Sequence, residues 1–153
     1  MEDFVPLIGG FLAAAVRVAT PLLLAATGET IAERSGVINL GLEGMMLAGA
    51  LAATLGATAA GPWSGVLLAI VAGMALALLF AAVAIGAGAD QIITGTAITL
   101  GAIGLTGTIY RQAYGTGGAG LDLPTLPAVA IPGLAAVPVL GPAFFAQPVP
   151  TYL

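Results

Sequence analysis

The sequence predicts an all-α, polytopic membrane helix bundle, and three observations predict it. Hydrophobic residues make up 59% of the 153 residues and charged residues only 7%, where a soluble domain carries about 25% charge. The uncharged runs are long. Residues 44–89 hold no Asp, Glu, Lys or Arg, which is room for two membrane helices of roughly 20 residues each. Proline, the residue that interrupts helices, is concentrated after Arg111.

Residues 4–16 read as an N-terminal interfacial helix. They end at Arg17, and a charge at the bilayer centre costs about 2.5–3.5 kcal/mol even on lenient insertion scales, so Arg17 is placed at the headgroups. A first crossing then runs over about 17–34, with Pro21 in its opening turns. A secretory signal is disfavoured because it needs a basic start, whereas this chain begins Met-Glu-Asp. Glu33, Arg34 and Gly36 form a polar structural turn. The second and third crossings, at 37–60 and 64–87, are divided by Gly61-Pro62-Trp63-Ser64. Gly-Pro breaks a helix, and Trp63 suits the aromatic belt. The fourth crossing occupies 91–110, with Tyr110 and Tyr114 as interfacial anchors.

Residues 111–150 change character. Pro124, Pro127, Pro132, Pro138, Pro142, Pro148 and Pro150 forbid a continuous helix, so this stretch is expected as a long external loop apolar enough to lie on the protein. Residues 151–153 then read as the start of a truncated fifth helix. The 1–153 stretch is thus one transmembrane domain, expected to be the first half of a longer polypeptide.

The same composition excludes several function classes. A net charge of −4 with three arginines and no lysine offers no basic surface for nucleic acid. Without Cys or His there is no disulfide, thiol nucleophile, imidazole base or zinc site, and neither metal nor cofactor is expected. An enzyme is therefore not expected. Gly115, Gly117 and Gly120 spell the dinucleotide fingerprint, but that motif needs a preceding strand and a following helix; here it reads as a flexible loop. A Walker loop needs a lysine, so any ATP hydrolysis sits on another subunit. Ala48–Ala52, Gly73–Ala77 and Ala97–Gly101 have the small-xxx-small spacing that lets membrane helices approach.

The informative stretch is TPLLLAATGETIAERSGVINLGLEGMMLAGA, residues 20–50. Asn39 and Glu43 lie inside the second apolar segment, and their i,i+4 spacing would place both on one helical face. Counted from Gly36 at about 1.5 Å per residue, Glu43 would lie about 10 Å deep. A carboxylate there is costly unless hydrated, paired or protonated. Two readings stay open: the pair lines a hydrated pathway, or Glu43 is protonated and bonds a neighbouring helix.

ATPLLLAATGETIAERSGVINLGLEGMMLAGA closely resembles the N-terminal signature of bacterial ABC-importer permeases of the nucleoside/simple-sugar type, related to the ribose and branched-chain amino-acid permeases. The match continues through Asp90-Gln91-Ile92-Ile93-Thr94-Gly95 and covers essentially the whole chain. It adds Gln91 and Thr94 to Asn39 and Glu43 as candidate pathway residues.

The resemblance implies a passive permease subunit in the cytoplasmic membrane. Its partners would be ABC ATPase subunits, a second homologous permease and an extracytoplasmic substrate-binding lipoprotein, besides membrane lipid. Such permeases are about twice this length. The resemblance also implies an N-terminus outside, with Glu33-Arg34 and Asp90 on the cytoplasmic side. Counting three arginines weakly prefers the reverse. The alternative function class is a non-transporting assembly or anchoring subunit.

Overall fold

The computed structural model describes residues 4–116 and 122–152. Gly117 and Gly120 of the glycine pattern, and Leu153, lie outside the described residues. The fold class is borne out: among the described residues, four helices are long and apolar enough to cross a membrane. The chain forms two compact units, Met1–Gly28 with Leu126–Leu153, and Glu29–Thr125.

Helix α1 runs without a break over Phe4–Arg34 and holds Pro21 in its interior. The boundary expected at Arg17 is therefore not a break in the helix. Ala, Leu and Val dominate this stretch, and a single exposed arginine does not end a helix whose i→i−4 bonds are local. The helix stops at Gly36, whose φ of +83° suits a residue without a Cβ. Its N–H donates to the Glu33 carbonyl at 2.9 Å and the Val37 N–H to the Ala32 carbonyl at 3.2 Å, which is the Schellman arrangement. This cap is what the turn at Glu33, Arg34 and Gly36 consists of.

In the unit formed by Glu29–Thr125, helix α2 spans Leu42–Ala60. It turns at Gly61 (φ +92°) into α3, Pro62–Phe80, with proline in the first turn, where its missing N–H costs nothing. Ala81–Gly86 continues α3 as a π-helix. Helix α4 spans Gln91–Tyr114 and is capped by Asp90, whose side chain accepts from the Ile93 N–H at 2.9 Å.

Helices α2 and α3 form an antiparallel hairpin with backbones almost touching. A Cβ on Gly56 would stand 2.7 Å from the Ser64 carbonyl oxygen, and one on Gly65 2.6 Å from that of Ala53. The Ser64 hydroxyl is 2.7 Å from the carbonyls of both Gly56 and Gly61. Helix α4 runs parallel to α2: Gly44 faces Thr99 near one end, and the Thr58 and Tyr114 hydroxyls are 3.2 Å apart near the other. Of the small-residue spacings singled out in the sequence, Gly73 and Gly101 face open space. The close approaches occur at other glycines. A small core of Met45, Phe80 and Ala84, flanked by Val37, Leu76 and Ile98, closes the end where α2 and α4 begin.

The other unit joins the first part of α1 to the Pro-rich segment, which is not a plain loop. Strands β1 (Ala128–Ala130) and β2 (Ala146–Pro148) pair antiparallel, with the short helix α5 (Leu140–Phe144) between them and a 3₁₀ turn, Val149–Tyr152, after β2. Gln147 is fully buried. Its Nε2 donates to the Pro142 and Ala143 carbonyls at 2.9 Å each and reaches the Ala13 carbonyl of α1 at 3.5 Å. The Tyr152 hydroxyl accepts from the Gln147 N–H and donates to the Val129 carbonyl. Proline forbids a long helix here, but two strands need only three paired residues each. Of the expected fifth helix, the described residues Thr151 and Tyr152 belong to the 3₁₀ turn.

Candidate functional site

The site grows out of the backbone between α1 and α2. Residues 37–41 are not helical, so the N–H groups of Ile38, Asn39 and Gly41 and the Leu40 carbonyl have no helical partners, and in a membrane such groups must be satisfied within the protein. The side chains around them do this. The Ile38 N–H donates to Gln91 Oε1 at 2.7 Å. The Asn39 N–H donates to Glu29 Oε1, also at 2.7 Å. The Gly41 N–H donates to Asn39 Oδ1 at 3.0 Å, an Asx turn that leads into α2. The Leu40 carbonyl accepts from the Thr99 hydroxyl at 3.2 Å.

Helix α4 is built to receive this segment. Gln91, Gly95 and Thr99 recur at i, i+4 and i+8 and therefore share one face. Gln91 holds Ile38, Thr99 holds Leu40, and Gly95 between them lets the two backbones meet. A Cβ on Gly95 would fall 2.9 Å from the backbone nitrogen and carbonyl carbon of Leu40. One turn into α2, a Cβ on Gly44 would stand 2.7 Å from the Thr99 Cα.

This geometry corrects one expectation. Asn39 and Glu43 do not share a helical face, because α2 begins only at Leu42; the 1.5 Å rise does not apply between Gly36 and Gly41. The Asn39 side chain is engaged locally, with Oδ1 on Gly41 and Nδ2 3.5 Å from Met45 Sδ. Gln91 is likewise occupied by the backbone. Thr94 is buried, and its hydroxyl donates to the Asp90 carbonyl at 2.7 Å. Glu43 differs from these three. It sits exposed in the first turn of α2, where the helix dipole favours a negative charge.

Glu29, Gly95 and Thr99 do not stand out in the sequence. Glu29 looks there like one more polar residue near a turn, and glycines are too common in this chain to draw notice. The 91–95–99 spacing is the signal that could have found them: two polar residues and a glycine on one stripe of an otherwise apolar helix. Among the described residues no cluster of acidic side chains could hold a metal ion.

The chain is 38% identical over 152 residues to the guanosine ABC transporter permease protein of Bacillus subtilis, an alignment covering 95% of this chain and 48% of that protein. It is 40% identical over 149 residues to a Haloferax volcanii protein named as a candidate glucose ABC transporter permease, covering 94% and 44%. It is 31% identical over 135 residues to the nucleoside ABC transporter permease protein of Lactococcus lactis, covering 84% and 42%. The chain thus spans less than half the length of each of these relatives. No solved structure matches it. The family model for the permease component of branched-chain amino acid transport systems matches residues 11–135. Most of the chain, including the whole α1–α2–α4 junction, is inside that match, and the protein belongs to this permease family as a multi-pass protein of the cytoplasmic membrane.

Proposed function

We propose that this chain supplies part of the membrane pathway of an ABC importer for a nucleoside or a simple sugar. The observation that carries the reading is its similarity to permeases named for guanosine, nucleosides and glucose. The site's chemistry supports it. Non-helical backbone at membrane depth is tolerated where it is buried or lines a cavity, and here it leads directly into Glu43, whose carboxylate no hydrogen bond ties to the described residues. A carboxylate accepts hydroxyl donors, which sugars and nucleosides present, and repels anions.

In this reading the N-terminus is outside and the α1–α2 turn and Asp90 face the cytoplasm. Glu43 lines the path, with Asn39, Gln91 and Thr94 shaping its wall. ATP hydrolysis belongs to separate ATPase subunits. A second homologous permease completes the pathway, and an extracytoplasmic binding lipoprotein delivers the substrate.

The test is uptake by proteoliposomes holding the full-length permease with those subunits. ATP-dependent accumulation of labelled guanosine or glucose is expected. In the same assembly Glu43→Gln should keep normal abundance while lowering kcat/KM by about tenfold, roughly 1.4 kcal/mol of lost binding. An assembled complex that accumulates neither a nucleoside nor a hexose would overturn the proposal.

A further inference from the structure

We infer that Glu29 and Gln91 are positioning residues that clamp residues 38 and 39 between α1 and α4 and thereby set where Glu43 stands. The inference rests on the permease reading above. Its starting point is a pair of consecutive backbone donors. The two donors do not go to the same flanking helix. Gln91, the first residue of α4, takes the Ile38 N–H, and Glu29, near the end of α1, takes the Asn39 N–H, each at 2.7 Å.

A carboxylate acceptor makes the shorter and stronger kind of hydrogen bond, and Glu29 is half-buried. The Glu29 bond spans ten residues and the Gln91 bond 53, so both fix tertiary placement rather than local conformation. Glu43 follows this segment by four residues, with Gly41 pinned between by Gly95. Freeing either donor therefore shifts the first turn of α2 and the carboxylate it carries. What the clamp requires of residue 29 is an acceptor at the right reach. It does not require a charge.

The experiment uses the complete importer, with residue-resolved hydrogen exchange at Ile38 and Asn39 beside uptake kinetics. Glu29→Ala should speed exchange at Asn39 about tenfold while leaving Ile38 within about twofold, and Gln91→Ala should do the reverse. Both should raise KM about tenfold with kcat within about threefold. Glu29→Gln and Gln91→Glu keep an acceptor and should restore both readouts. Adding Glu29→Ala to Glu43→Gln should raise KM no further, because Glu29 acts through Glu43. If Glu29→Ala fails to reach the membrane, Glu29→Asp keeps the charge, shortens the reach, and should still release Asn39.

Unchanged exchange at Asn39 in Glu29→Ala or Glu29→Asp, or a Glu29→Gln importer as impaired as Glu29→Ala, overturns the clamp. A Glu43→Gln importer with unchanged uptake overturns instead the pathway role of Glu43, and the exchange data then decide the clamp separately.

Discussion

Gly95 of α4 lies so close to Gly41 that a Cβ on Gly95 would stand 2.7 Å from the Gly41 backbone nitrogen. The contact is backbone against backbone, so no flexible side chain can move aside. Gly95→Ala is expected to destabilise the protein by about 1–3 kcal/mol, the usual range for overpacking a filled site. Gly101→Ala, on the same helix but facing open space, should be neutral or stabilising by up to about 1 kcal/mol, because alanine is the better helix former. Thermal unfolding of the two variants in detergent, followed by size-exclusion fluorescence, compares them directly. Equal midpoints would refute the close approach.

The α2–α3 hairpin makes the same kind of prediction at another place. A Cβ on Gly65 would stand 2.6 Å from the Ala53 carbonyl oxygen, whereas Gly73 has nothing within 4 Å. Gly65→Ala should therefore lower the unfolding midpoint by an overpacking cost of about 1–3 kcal/mol, and Gly73→Ala should not. The Gly65 loss should not be rescued by Ser64→Ala, since the obstacle is the backbone of α2.

In the ribbon unit, Tyr152 is the bridge. Its hydroxyl holds the Gln147 N–H at 2.9 Å and the Val129 carbonyl at 2.8 Å, joining β2 to β1. Tyr152→Phe removes both bonds and should weaken the ribbon by about 1–3 kcal/mol. Limited proteolysis within residues 128–148 should accelerate accordingly, while cleavage in the α2–α3 hairpin should not change.

Orientation is open to labelling because the chain contains no native cysteine. In intact cells an impermeant thiol reagent should modify Thr116→Cys, past the end of α4, and spare Ala89→Cys, just before α4 begins. The opposite pattern would invert the proposed topology.

The transmembrane segments are legible in the amino-acid sequence because the cost of placing charge in hydrocarbon is a local property of a roughly 20-residue window. Composition along the chain is enough to find four of them, and Gly61-Pro62 is enough to separate α2 from α3. The polar string around Glu43 is likewise enough to mark where polar residues enter the apolar segments. Three things are decided only by tertiary structure. Helix α2 starts at Leu42 rather than Val37, and the non-helical residues before it are held by acceptors on Glu29 and Gln91, ten and 53 residues away from the donors they meet. The glycines that matter are those whose partners are other backbones, Gly41 with Gly95 and Gly56 with Gly65, and nothing in a glycine's own neighbourhood distinguishes them from Gly73 or Gly101. The Pro-rich stretch becomes a ribbon because Gln147 and Tyr152 find carbonyls on strands and helices distant in sequence. In each case the free energy lies in satisfying a buried polar group or filling a gap between backbones, and both depend on what arrives from elsewhere in the chain.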